Sequence, residues 1–254
     1  MSNFLPQIDA LNLVPKPNRG GTDTNPCTRV NIKLYSDNLK LCPLNDDELN
    51  IFKAQFSTLL SMPGSDERKI QLDRIEAYII ALRAIKQSLN EVTFAGLNAE
   101  DTELGMSLIR PMFTVAGAVA VPLAYKTNWN QALTAVWADW IWNGAGAAMT
   151  VGKDFGMVIT HLKSLVSPTP FMTECRFEVG RTGILNPSDV RCFIQGDTEN
   201  NVAIASIPTM ILIPKASFYA RARSDVNGTD QIALGGLVFG LGRALKEEVP
   251  TWTA

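Results

Sequence analysis

Between Arg110 and Lys163 the chain carries only four charged residues, Lys126, Asp139, Lys153 and Asp154. Apolar surface left in water costs about 25 cal/mol per Å², so a run this long and this poor in charge belongs to a core or an interface. It does not read as a membrane span. The piece from Pro111 to Tyr125 is interrupted by Pro122 and falls short of the roughly 20 residues that cross a bilayer, and Leu133 to Gly152 contains Asp139 and Asn143. Both pieces are expected to be buried core helices.

Helical signals dominate the first half after residue 45. Asn45 is placed to cap a helix running to about Met62, with Glu48 three residues on as its capping-box partner. Pro63-Gly64 breaks the chain, and Ser65 opens a longer amphipathic helix. Its Ile75, Tyr78, Ile79, Leu82, Ile85 and Leu89 recur at three- and four-residue steps on one face. Asn98 is expected to cap a helix carrying Leu104, Leu108 and Ile109 that ends before Pro111. Thr127 is expected to cap another, built on Trp129, Leu133, Val136, Trp137, Trp140 and Ile141.

The later segments are less periodic. Asn186-Pro187-Ser188-Asp189 has the order of a helix start, with Gly196 closing a short helix. Val202 to Ile213 suits a buried strand or a buried helix interrupted at Pro208, and periodicity does not separate the two. Thr229 or Asp230 opens an expected final helix to about Glu248. In it Leu234, Val238, Leu241 and Leu245 are regularly spaced, and Ala233, Gly236, Gly240 and Ala244 form a small-residue ridge. The expected fold is therefore mainly α: a single helical body over residues 46–254, preceded by an extended, mostly irregular arm over residues 1–45, with a few short strands. The arm holds five of the fourteen prolines and the Gly20-Gly21 pair.

Composition narrows the function classes. Charged residues make up 19% of the 254, against roughly 25% in ordinary soluble domains, which fits a surface hidden against copies or partners. The net charge of −2 argues against coating nucleic acid by bulk attraction. The N-terminus has no basic segment followed by an apolar run, so no secretory signal is expected, and the location expected is the cytoplasm or a virion. Cys27, Cys42, Cys175 and Cys192 form no C-x-x-C pair and are read as free thiols. With one histidine in the chain, no metal site and no cofactor are expected.

Catalytic motifs are equally sparse. Gly146 to Asp154 resembles a phosphate loop but has five residues between its glycines and Asp154 after the lysine. Gly144-Ala145-Gly146 opens like a dinucleotide fingerprint without its third glycine. His161, the sole imidazole, sits beside Met157, Leu162 and Leu165 in what reads as a helix, where a packed or surface histidine is the expectation. No catalytic residue is assigned.

One constellation suggests binding. Lys215, Tyr219 and Arg223 share a face of a helix. In a strand they are joined on one side by Ser217 and Arg221, giving basic charge around an aromatic ring. Arg176, Arg181 and Arg191 lie upstream and extend the set. The stretch Lys153 to Arg223 nonetheless holds eight basic against six acidic residues. The function these features favour is a self-assembling structural protein, coat- or nucleoprotein-like and not an enzyme, that encloses RNA. Its partners would be its own copies, through the N-terminal arm and the C-terminal helix, and single-stranded RNA. An enzyme with a carboxylate- or Lys/Tyr-based site, or a scaffold without nucleic acid, is the alternative.

Overall fold

Asn45 does cap the first helix: its Oδ1 accepts from Glu48 N at 2.7 Å while Glu48 Oε2 accepts from Asn45 N at 3.1 Å. Helix α1 runs over Asp46–Leu59. Glu48 then turns inward, taking Lys86 Nζ at 2.6 and 2.7 Å and Phe94 N at 2.9 Å. Burial works to raise its pKa, but the Lys86 hydrogen bond, the two backbone donors and the Lys86 charge together hold it below the usual range. The amphipathic segment that follows is split by Arg74 into α2 (Ser65–Asp73) and α3 (Ile75–Ser88). Tyr78, Leu82, Ile85 and Leu89 are buried as their spacing requires.

The computed structural model describes residues 44–60, 65–110, 129–139, 149–165, 169–179, 183–189 and 203–246. The remaining elements among them are β1 (Phe94–Gly96), β2 (Leu104–Leu108), β3 (Asn130–Leu133), β4 (Ala138–Asp139), β5 (Met149–Thr150) and β6 (Phe155–Ser164). Then come β7 (Glu174–Val179), β8 (Gly183–Asp189), β9 (Ile204–Leu212), β10 (Ser217–Arg223), β11 (Gly228–Leu241) and α4 (Gly242–Lys246). A six-stranded sheet has the order β1-β2-β11-β6-β9, with β3 also paired to β11. A five-stranded sheet has the order β4-β10-β7-β8, with β5 paired to β10. The β1–β2 pair is parallel and the other pairings are antiparallel.

Three layers result. Helices α1 and α3 cover one face of the six-stranded sheet, where Phe52, Phe56, Tyr78 and Ile85 pack on Val158, Leu237 and Phe239. On the other face Met157, Ile159, Leu162, Leu234 and Val238 share a core with Cys175, Phe177, Ala220 and Ala222 of the five-stranded sheet. The central strands are therefore apolar on both sides.

That double burial overturns the mainly α expectation. A strand covered on both faces loses its polar–apolar alternation and reads like a buried helix. The stretch around Leu104 and Leu108 is β2, not a helix capped by Asn98. The tryptophan-rich stretch contributes β3 and β4, and His161 lies in β6. Asn186-Pro187-Ser188-Asp189 ends β8, and Ile204–Leu212, within the apolar run, is the strand β9. The expected C-terminal helix from residue 229 is the 14-residue strand β11 followed by the five-residue α4. Its small residues serve the sheet. A Cβ on Gly235 would fall inside the His161 ring, and Gly236, at φ 147°, passes hard against the Val158 carbonyl. The C-terminal helix is withdrawn as an assembly element, and the helical description of residues 46–254 with it. Residues 1–43 of the expected arm lie outside the described residues.

Candidate functional site

The basic-aromatic constellation is a strand. β10 alternates in the manner of a half-buried edge of the core: Ala220 and Ala222 are buried, while Arg221 and Arg223 are about a third exposed. β7 matches it, with Cys175 and Phe177 buried and Arg176 between them. Register fixes the rows. Arg221 stands opposite Asp139 of β4 on one side and Arg176 of β7 on the other. Arg223 stands opposite Glu174, itself opposite Asp189, and Tyr219 stands opposite Glu178.

Acids on neighbouring strands answer most of this charge. Arg223 Nε is 2.7 Å from Glu174 Oε2, and Arg221 Nε is 3.3 Å from Asp139 Oδ1. The hydrogen bond that Arg223 donates to Glu174 is the main reason the Arg223 guanidinium holds its proton beyond the ordinary range. Trp137, expected to lie within a helix, packs on the same group of side chains: its ring lies 4.9 Å from the Arg176 guanidinium carbon and 5.1 Å from that of Arg223. Lys215 is not on the strand. It occupies an exposed turn before β10 at φ 65°. Arg181 and Arg191 lie outside the described residues. The structure thus brings Arg176, Arg221 and Arg223 together and sets Lys215 apart. The sequence reading missed Asp139 and Glu174, which temper the positive charge, and Trp137, which packs against it. The alternation Glu174-Cys175-Arg176-Phe177 was the signal that would have found the β7 row.

A second polar cluster lies beneath the helices. On β6 a bulge falls at Thr160: Ile159 pairs with Gly236, and His161 with Gly235. Adjacent residues at a bulge can share a face, and here Thr160 and His161 both turn toward the helices while Ile159 and Leu162 enter the opposite core. Thr160 Oγ1 lies 2.9 Å from Tyr78 Oη and 3.0 Å from His161 Nδ1. His161 Nε2 lies 3.4 Å from Glu67 Oε1, and Lys163 Nζ donates to Glu67 Oε2 at 2.6 Å. Burial works to raise the Glu67 pKa, but hydrogen bonds from His161 and Lys163 and the Lys163 charge bring it down to about 2. Burial pushes the Tyr78 hydroxyl up.

Thr160 and His161 are each 0% exposed, so the hydroxyl–imidazole–carboxylate series gives a substrate no approach and serves to dock α2 and α3 on the sheet. His161 is packed, as expected, but in a strand. No group of three or more His, Cys, Asp or Glu side chains among the described residues is arranged to hold a metal, and none of the described helices is long and apolar enough to cross a membrane.

A third feature is apolar. Ser224, after β10, ties three segments: its N donates to Thr134 O at 2.8 Å, its hydroxyl donates to Phe171 O, and it accepts from Val226 N at 3.2 Å. Those segments carry Val136, Phe171 and Val226, which are 73%, 47% and 61% exposed. Buried Asp230 holds the Phe171 segment by accepting from Phe171 N at 3.0 Å and Met172 N at 2.6 Å.

No protein-family model matches the sequence, and no curated protein matches it. Among solved structures, one of infectious bursal disease virus, Gx strain, is similar over 57% of this chain at 10% identity and a TM-score of 0.25. The chain spans 34% of the length of that match.

Proposed function

We propose that this chain is a self-assembling structural protein of the coat or nucleoprotein kind, whose copies meet through the end of the molecule around Ser224. The observation that carries the reading is the grouping of Val136, Phe171 and Val226 on three hydrogen-bonded segments. Single exposed apolar residues are ordinary. Three on adjoining segments, with the backbone pinned by Asp230 and Ser224, form a surface prepared to be covered. The low overall charge of the chain supports the same reading, and the arm over residues 1–45 enters it as a second contact between copies. RNA is a partner through local arginines rather than bulk attraction, because acids stand against much of the basic face.

Electron microscopy of the purified full chain tests this. Closed particles or filaments are the expected result, and removal of residues 1–30 should leave a folded body that assembles poorly. A population of single molecules at high concentration overturns the proposal.

A further inference from the structure

We propose that residues 11–17 of a neighbouring copy's arm seat on the apolar end formed by Val136, Leu165, Phe171 and Val226. This rests on the reading of that end as the assembly contact, and makes the end and the arm two halves of one contact. Leu165 joins the group because its N donates to Gln231 O at 2.8 Å, one residue from Asp230, and it is 43% exposed. Phe171 is held twice over. Asp230 and Ser224 fix its backbone, and its ring lies against Gly228, where a Cβ would stand 2.7 Å from it. An aromatic ring fixed in advance offers contact area at little cost in conformational entropy.

The size of the end selects an extended segment over a second globular face. Four such side chains expose a few hundred Å², short of the roughly 800 Å² that each partner gives to a standard interface. The segment Leu11-Asn12-Leu13-Val14-Pro15-Lys16-Pro17 has the matching pattern. In an extended chain Leu11, Leu13, Pro15 and Pro17 fall on one side. The two prolines fix their own φ and steer Val14 and Lys16 away from the helical region, so little freedom is lost on docking. Proline on an aromatic platform is a recurring mode of peptide recognition. Charge works in the same direction: residues 1–43 carry five Lys and Arg against three Asp, and the rest of the chain eighteen basic residues against twenty-two acidic.

Topology assigns the segment to a neighbour. Leu44, where the arm joins the body, packs on the core beneath the helices, and Glu48 of α1 accepts from Phe94 N. Phe94 stands opposite Leu104, and Leu104 opposite Leu241, at the C-terminal end of β11. The apolar end lies around Gly228, where β11 begins. At about 3.3 Å per residue, the 14 residues of β11 set the two about 40 Å apart. An arm rooted at one end of the molecule and received at the other makes a head-to-tail contact, the kind that propagates into rings or filaments.

Sedimentation velocity of the full chain and its variants tests the inference. Leu11→Ser/Leu13→Ser, and separately Val136→Ser/Val226→Ser, should each raise the concentration needed for assembly at least tenfold with the circular dichroism spectrum retained. Mixed in equal amounts, these two variants should pair into two-chain species at the wild-type concentration, because one keeps its arm and the other its platform. Phe4→Ser/Leu5→Ser, equally apolar but outside the segment, should assemble as wild type does. An equal loss there overturns the assignment to residues 11–17. A mixture that stays as single chains overturns the exchange between copies. If Leu11→Ser/Leu13→Ser assembles as wild type does while Val136→Ser/Val226→Ser fails, the inference falls and assembly through the Ser224 end stands. A wild type that remains single at every concentration removes both.

Discussion

Glu67 and Asp139 both pair with a cation on a sheet, yet they stand in opposite surroundings. Glu67 lies between helix and sheet with His161, Lys163 and Gln71 as partners, and its side chain is 12% exposed. Asp139 lies on the outer face of the five-stranded sheet, 23% exposed, against an arginine that is 36% exposed. In the first place charge is satisfied from several sides and fastens two layers. In the second, water competes for every partner and the pairs are individually weak. The difference separates pairs that fasten the layers of the fold, in the buried cluster, from pairs that stand partly in water on the outer face of the five-stranded sheet.

The largest effect is expected where a buried partner is removed outright. Lys86→Met leaves the Glu48 carboxylate, which is 3% exposed, without its cation, and should cost about 3–5 kcal/mol in urea unfolding. A loss below about 1 kcal/mol would erase the contrast with the outer face.

Acid provides the next test. The folded Glu67 pKa of about 2 lies below its ordinary 4.5, so its stabilisation is fully present above the unfolded value and is lost as pH falls from about 4.5 toward 2. Thermal melts of Glu67→Gln should therefore show a flatter dependence over that window than wild type. Parallel curves would place the acid sensitivity elsewhere.

Gly235→Ala comes third. Its methyl group would enter the His161 ring, and an overpacked core of this kind loses about 1–3 kcal/mol, read from the same denaturant curves. The smallest effect is expected from Arg221→Ala, within about 1 kcal/mol of wild type, because Arg221 and Asp139 are both partly solvated.

The same contrast explains which parts of the molecule were legible in the amino-acid order. Asn45 and Glu48 announce their helix because capping is a local transaction between residues three apart. Tyr78, Leu82 and Ile85 announce theirs because one side of α3 meets the sheet and the other meets water. β6 and β11 have no such asymmetry. Val158 and Ile159 enter opposite cores, and so do Leu237 and Val238, so nothing in their order tells a strand from a buried helix. The three- and four-residue spacing of Ala233, Gly236, Gly240 and Ala244 imitates a helical ridge, whereas Gly235 and Gly236 answer a bulge on the partner strand.

The outer face was legible in part. Ala220 and Ala222 alternate with Arg221 and Arg223, so the strand alternative was visible beside the helical one. The acids that pair with the arginines come from β4 and β7, 82 and 49 residues away in the chain, and only the sheet register brings them together. The buried cluster was invisible for the same reason: Tyr78 meets Thr160, and Glu67 meets His161, through tertiary packing alone. Val136 read as part of the apolar girth of a helix because apolar side chains carry no mark of being left outside.

Sedimentation velocity of the full chain over a range of concentrations, beside Val136→Ser/Val226→Ser, tests assembly through the Ser224 end most directly. Wild type is expected to sediment well above the 27.8 kDa of one chain, and the double variant is expected to shift toward that mass with its fold intact. A wild type that sediments as a monomer throughout, or a double variant that assembles as wild type does, contradicts it.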